Sequence, residues 1–404
     1  MAMMAMMFWM SCAFVAYIYL GYPLLLVGWR RLSSRPPSRP APCRRVGPEP
    51  AISIVIAARN EGARLAARID NILQLRYDGD RQIILVSDGS LDDTVTVMAR
   101  YQPQIDVIVL PPSGKASALN AGVARARHDI LVFADARQTF EPEALSELTA
   151  PFDDEAIGVV TGELVLDCEH PERRHADRRR YDGDLAFTEE RRAGIDRRTT
   201  RSAIADGIGR YWKYEKSLRK LESDVGSVLG ATGAIYAMRR TLWRPLPAEA
   251  ILDDVLAPMR CVLTGHRITF NDRARARDRA AVTAREEARR KVRTAAGNWQ
   301  ILFLEPQLLL PWRNPVWLQY VSHKVGRLLV PFALVAAIGS NVALAGQSAL
   351  YAMTLIAQCA LYLLASYGAR LDHRPARIAY AFLMMNASAV SGLMALAFRR
   401  KVWR

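Results

Sequence analysis

The chain is poor in cysteine, with five in 404 residues (Cys12, Cys43, Cys168, Cys261 and Cys359), scattered and without paired spacing. That scarcity excludes a disulfide framework and a cysteine-based zinc site, and it fits a reducing compartment. Acidic residues are the scarcer charge, 40 against 55 Lys plus Arg, for a net charge of +15. The excess of arginine lacks what a nucleic-acid surface would need, because no recognition helix, finger or aromatic stacking motif accompanies it. The first apolar run, FWMSCAFVAYIYLGYPLLLVGW (8–29), lacks charge altogether. No basic stretch precedes it, as one would in a secretory signal, and it runs straight into Arg30 and Arg31, so it reads as a retained anchor.

What is present is segregated. A chain of this length holds one domain of about 200–250 residues plus extra elements. The apolar fraction is 51% and the charged fraction 24%, so greasy and charged blocks must alternate. Residues 8–29 are long enough to cross about 30 Å of hydrocarbon. Three more candidate spans lie at 328–346, 349–368 and 376–398, within a membrane block of 326–398. Residues 30–50 form a basic, Pro-rich linker that the positive-inside rule places in the cytoplasm, where arginines meet anionic headgroups. Residues 301–325 read as interfacial helices, since Trp and Tyr favour headgroup depth while Glu305, Arg313 and Lys324 oppose a full span. If the central block is cytoplasmic, the three closing spans place 370–377 inside but the basic tail 399–404 outside, against the same rule. Between Glu169 and Arg201, ten Arg face eight Asp plus Glu with few apolar residues, the composition of a solvated insertion.

Between 51 and 300 short apolar runs alternate with helical periodicity. AISIVIAA, QIILVSD, IDVIVL and DILVFAD read as strands; GARLAARIDNILQL, DTVTVMARY and SALNAGVARAR read as helices. Such alternation requires right-handed crossovers into a mostly parallel sheet, which binds ligands at the carboxyl ends of its strands. Four polar clusters fall at those ends: ARNE (58–61), SDGSLDD (87–93), PPSGKASALN (111–120) and DARQ (135–138). Taken singly, Asn60 or Asp92 is a helix cap and Gly89 a turn residue. Taken together, Asp88 suits a base or ribose donor, Lys115 a phosphate, and Asp135 a divalent cation held against a diphosphate. Arg137 stands where a second carboxylate would complete an Asp-x-Asp pair.

The ordered series AARNE, SDGSLDDT, GKASALNAG, DAR, GATGA and LDDVLAPMR resembles the family 2 glycosyltransferases. It is most similar to the membrane-bound branch of cellulose and hyaluronan synthases and bacterial exopolysaccharide transferases. The resemblance covers about 51–300 and implies a cytoplasmic α/β catalytic domain of GT-A fold, Rossmann-like with a mostly parallel sheet. One N-terminal and about three C-terminal transmembrane helices complete the expected architecture. It implies that Ala58 and Glu61 border the nucleotide, that Asp88 contacts the base, Lys115 the donor, and Asp135 the metal, a Mg²⁺ or Mn²⁺ ion, and the ribose region. Gly230, Ala231, Thr232 and Gly233 match a small-residue floor for the acceptor, Asp254 the general base and Asp253 its acidic neighbour. RKVRTAAGNWQ (290–300) stands where the family often has Gln-x-x-Arg-Trp: Arg293 matches the arginine, but Arg290 and Thr294 replace the Gln and Trp. That departure weakens an expectation of long-chain processivity.

The function so implied is inverting transfer of a sugar from a nucleoside diphosphate sugar to a membrane-associated saccharide or lipid-linked acceptor. The setting is a bacterial-type inner membrane, with polysaccharide export proteins as further partners and no nucleic acid. Two other readings stay open: transfer to a polyprenyl phosphate, which needs little general base, and a catalytically silent scaffold. For Arg137, placed with the donor-binding residues, two arrangements stay open: the cation rests on Asp135 with diphosphate oxygens and water, or Arg137 itself contributes positive charge beside the leaving group.

Overall fold

The computed structural model describes residues 1–33, 47–167, 213–279, 284–368 and 373–398. The Arg-rich insertion, the basic tail and most of the Pro-rich linker lie outside the described residues.

Strand β1 (Ile52–Ala58) pairs in parallel with β2 (Arg81–Asp88), and β2 with β3 (Asp106–Leu110). The next strand, β4 (Ile130–Ala134), returns to the other side of β1. Strand order therefore reverses between β1 and β4, and the loops that leave β1, β2, β3 and β4 open around one crevice. Beyond β4 the sheet becomes mixed. β7 (Ile235–Arg239) runs antiparallel between β4 and β6 (Ile157–Asp167), and β8 (Arg267–Arg279) runs parallel to β6 and antiparallel to the short β5 (Thr139–Phe140). The full order is β3-β2-β1-β4-β7-β6-β8-β5.

Both faces of the sheet are covered, which is why β1, β2 and β4 are near-continuous apolar runs rather than alternating ones. On one side α2 (Gly62–Leu73) lays Leu65, Ile69 and Ile72 on the sheet, with α3 (Thr94–Ala99) and α5 (Ala144–Thr149) beside it. On the other, α4 (Lys115–Arg125) and α7 (Asp253–Leu263) pack over Val55, Phe133 and Tyr236.

Among the described residues four helices are long and apolar enough to cross a membrane: α1 (Ala2–Leu32), α9 (Trp317–Leu344), α10 (Ala349–Tyr367) and, within α11 (Arg374–Ala397), the stretch Pro375–Ala397. Phe8 of α1 packs on Ala337 and Leu344 of α9, while Leu24, Val335 and Ile356 point outward, as lipid-facing side chains do. Trp317–Val325, read from the sequence as interfacial, forms the unbroken first part of α9. Two helices join these spans to the sheet. α8 (Ala284–Leu304) donates Trp299 Nε1 to Ala389 O of α11 at 3.0 Å. Helix α6 (213–225) buries Leu218 and Val225 against Tyr22 and Leu26 of α1 and joins its other face to β8, where Ser223 Oγ lies 3.2 Å from Thr269 Oγ1.

Candidate active site

The loop after β1 is fixed by the loop after β2. Asn60, at a positive φ of 54°, accepts from Leu91 N–H, and its own N–H donates to Ser90 Oγ. Asp92 accepts from Gly62 N–H at 3.0 Å and Thr94 N–H at 3.1 Å, so it satisfies first-turn donors of α2 and α3. Glu61 is half-buried, with its N–H on Thr94 Oγ1, and Ala58 closes β1 as a buried residue.

Asp88, 4% exposed at the end of β2, accepts from Ser113 N–H at 2.6 Å and Gly114 N–H at 2.9 Å through Oδ1. Those bonds shape the turn that starts α4. The other oxygen, Oδ2, faces Arg59 Nη1 at 3.7 Å. The next residue in the turn, Lys115, reaches Asp135 Oδ1 at 3.0 Å and Asp253 Oδ2 at 3.2 Å. Burial works against this ammonium, but the charges of Asp135, Asp253 and Asp254 outweigh it and hold the group above its ordinary range.

Asp254 completes the cluster. Burial, then the charge of Asp253, push its carboxyl up to about 6, against the pull of Lys115 and of a backbone hydrogen bond from Gly233. That bond, Gly233 N–H to Asp254 Oδ2 at 2.9 Å, ties the segment 230–233 to the start of α7. A second tie follows from Pro258. Proline has no N–H, so in a helix it leaves the carbonyl four residues back without a donor. That carbonyl is Asp254 O, and Ala231 N–H takes the place at 2.7 Å. Gly230 sits at φ +116° against Val255, where an L side chain would be strained, and Thr232 donates its N–H to Thr161 Oγ1 at 2.8 Å.

Lys115, Asp135, Asp253, Asp254 and the 230–233 floor therefore form one cluster at the strand ends, adjoining Asp88 through Gly114. Arg137 turns elsewhere: its Nε lies 3.3 Å from Asp278 Oδ2 on β8, an oxygen that Gln138 Nε2 also meets at 3.1 Å. Arg293 is exposed on α8, with no hydrogen bond or ion pair among the described residues. Three residues near the cluster escape a sequence reading. Tyr236 OH is fully buried without a hydrogen-bond partner among the described residues, and burial with the charges of Asp253, Asp254 and Asp135 raises its pKa. Arg68, 3% exposed and stacked 4.1 Å over Phe140, faces the charge of Asp135, and burial draws it down to about 9. Arg219 donates to Thr232 Oγ1 at 2.6 Å. Only Arg68 left a signal, a charged residue on the apolar stripe of α2.

Three carboxylates around one ammonium leave a net charge of about −2, a setting suited to a further cation. Among the described residues no group of three or more His, Cys, Asp or Glu side chains is placed to hold a metal ion by itself. The donor set therefore fits a cation that brings much of its own coordination, as a diphosphate-bound one does.

Residues 53–245 match the family Glycosyl transferase family 2. Among curated proteins, the chain is 34% identical over 124 residues to a probable glycosyltransferase, YdaM, of Bacillus subtilis, covering 28% of this chain and 30% of that protein. It is 30% identical over 115 residues to a poly-beta-1,6-N-acetyl-D-glucosamine synthase of Staphylococcus aureus, 28% of each chain. The chain thus spans less than a third of the length of these relatives. Among solved structures, the mannosyltransferase PcManGT of Pyrobaculum calidifontis, in complex with GDP-Man and Mn²⁺, aligns over 98% of this chain and 100% of its own, with a TM-score of 0.67 and 19% identity. The likeness is one of fold, GT-A.

Proposed function

From a family 2 glycosyltransferase domain at 53–245, we propose inverting transfer of a sugar from a nucleoside diphosphate sugar to a hydroxyl of a membrane-associated saccharide or lipid-linked acceptor, in polysaccharide or glycolipid synthesis. The observation that carries the reading is the meeting of Lys115 with Asp135 and Asp253 beside an Asp254 carboxyl pushed up to about 6. A carboxyl at that value is ionised near neutral pH yet still basic enough to take a proton, as a general base must. Asp254 would accept the acceptor hydroxyl's proton as its oxygen attacks the anomeric carbon. The bond to the diphosphate breaks on the opposite face, which inverts the centre.

Lys115 would offset charge on the departing diphosphate. Asp135 would hold a divalent cation, Mg²⁺ or Mn²⁺, together with diphosphate oxygens; bound there, the cation supplies Lewis-acid neutralisation of the leaving group. The mannosyltransferase of like fold is described with GDP-Man and Mn²⁺, which supports a nucleotide sugar and a cation here. Asp88, with Arg59 across from it, would receive the base, bordered by Ala58 and Glu61. Gly230 to Gly233 would underlie the acceptor, with Arg293 at its outer side. The four apolar helices support a multi-pass membrane protein; a bacterial-type inner membrane, a domain on the cytoplasmic, donor-supplied side and export partners complete the proposal. Incubating the membrane-reconstituted chain with a panel of radiolabelled sugar nucleotides tests the reading: label should enter a lipid or polymer fraction from at least one donor, and transfer from none would refute it.

A further inference from the structure

Helix α6 stands between the spans and the proposed acceptor floor, and the side chains it sends to each carry opposite charge. Toward the sheet it presents Lys216, Arg219 and Lys220. Lys216 is ion-paired to Glu163 of β6, Lys220 to Asp272 of β8, and Arg219 Nη1 donates to Thr232 Oγ1 at 2.6 Å. Toward the spans it presents Glu215 and Glu222, whose i, i+7 spacing keeps both on one side of a helix. Glu215 pairs with Arg327 of α9. Glu222, 1% exposed, accepts from Tyr22 OH of α1 at 2.8 Å through Oε1, and the same oxygen lies 2.6 Å from His323 Nδ1 of α9. One carboxylate thus joins α6, α1 and α9.

Both spans depart from regular α-helix at this level. Tyr17–Gly21 of α1 and Tyr320–Val325 of α9 are π-helical turns, of the kind that often marks a functional site. They lie side by side: Tyr17 OH is 2.8 Å from Ser322 Oγ, and an added Cβ at Gly326 would lie 2.3 Å from Ile18 Cδ1. A π turn adds a residue to a helix and re-aims the side chains near it, here Tyr22 directly after one turn and His323 within the other. The junction is poorly built for stability alone. Glu222 Oε2 is buried without a hydrogen-bond partner among the described residues, and apolar side chains of similar volume often match or exceed a buried charged group in stability. What a buried carboxylate with two directional partners supplies is registry among the three helices.

That registry reaches the proposed base through side chains already described. One turn before Glu222, Arg219 holds Thr232, whose neighbours Ala231 and Gly233 are bound to the main chain and the carboxylate of Asp254. We infer that Glu222 is a positioning residue for sugar transfer: held by Tyr22 and His323, it sets α6 against the spans so that Arg219 keeps Thr232, and with it the 230–233 segment, in line with Asp254. The inference rests on the transferase reading for its consequence in rate, but the tie from Glu222 to the floor is testable without any transfer.

The test compares the full chain in phosphatidylcholine nanodiscs with Glu222→Met, Glu222→Gln, Arg219→Met and the Glu222→Met, Arg219→Met double variant. In hydrogen–deuterium exchange, Glu222→Met should speed exchange of the Ala231, Thr232 and Gly233 amides about tenfold, the scale of one lost hydrogen bond, with Val55 of β1 as an unchanged control. Glu222→Gln keeps the shape and an acceptor oxygen and should restore most of the protection. Transfer is read with whichever sugar nucleotide labels the lipid or polymer fraction of wild type. Glu222→Met should lower its rate about ten- to a hundredfold with donor KM unchanged, and adding it to Arg219→Met should cost nothing further, since both act through Thr232. Additive losses in the double variant, a change in donor KM as large as the fall in rate, or floor amides exchanging as in wild type would overturn the inference. Should Glu222→Met fail to fold, Tyr22→Phe removes one donor to the same carboxylate and should give the same pattern at smaller size. Exchange needs no donor, so a wild type that transfers no label would fail the transferase reading while exchange still decides the tie.

Discussion

Ala231 N–H donates to the backbone carbonyl of Asp254 at 2.7 Å, in the place that Pro258 leaves open in α7. The proposed acceptor floor is thereby docked on the main chain of the proposed base, while Gly233 holds the same residue's side chain. Restoring a donor at 258 should undo this. Pro258→Ala lets the helix make its ordinary bond to Asp254 O, so the protein should melt at the same or a higher temperature yet transfer more slowly. Equal transfer in the variant would show that the floor does not depend on that carbonyl.

At Gly233 an added Cβ would lie 2.8 Å from Asp254 Oδ2. Either the carboxylate or the floor must shift, and a misplacement of about 1 Å in a catalytic group costs on the order of 10² in rate. Gly233→Ala should therefore lower transfer by that order with donor affinity within a few fold, as steady-state kinetics and nucleotide calorimetry would register. A variant with wild-type turnover would separate this contact from catalysis.

Asp254 should set an acid limb. As the base it works ionised, so transfer should fall as pH drops through about 6. Stability runs the other way. The folded chain holds this proton more tightly than the unfolded one, so the contribution is full below an ordinary carboxylate pKa and is lost as pH rises toward about 6. Asp254→Asn should abolish the limb, lower transfer by about 10²–10⁴, and leave the melting temperature at neutral pH equal or raised. Asp253→Asn should act through Lys115, weakening donor affinity first. Near-normal transfer by Asp254→Asn, or outright loss of donor binding, would move the base elsewhere.

Removal of divalent cations with EDTA should suppress turnover, and Mg²⁺ or Mn²⁺ should restore it, because the diphosphate carries more charge than Lys115 offsets. Lys115→Met should cost about ten- to a hundredfold in donor affinity, the value of a charge-assisted contact. Full activity of metal-free protein would assign the leaving-group role to Lys115 alone.

Arg137→Met should be mainly a stability change. It leaves the Asp278 carboxylate, 9% exposed, with one cation fewer, which should lower the unfolding free energy by about 1–3 kcal/mol in denaturant titrations. Donor affinity lost in proportion to activity would instead place Arg137 at the diphosphate.

The alternating strands and helices and the apolar helices at both ends of the chain were legible because each is written in short-range periodicity, whereas the reversal of strand order that makes the crevice was not. The candidate residues at strand ends were legible for the same reason: a strand of known direction delivers its last residue to a known edge. Interfacial and spanning character were less separable at 317–325, where Trp, Tyr, His and Lys mask the first part of α9. What the sequence by itself determined is therefore the alternation of strands and helices, the apolar ends and the edge at which chemistry is gathered. Partner choice belonged to the tertiary structure. Gln138 meets Asp278 across 140 positions, and Arg137 goes with it, while Tyr22 reaches Glu222 across 200. A charge in sequence has a sign and a position along the chain but no neighbour; folding alone sets which opposite charge lies within a few ångströms, and at that range the Coulomb energy decides its role.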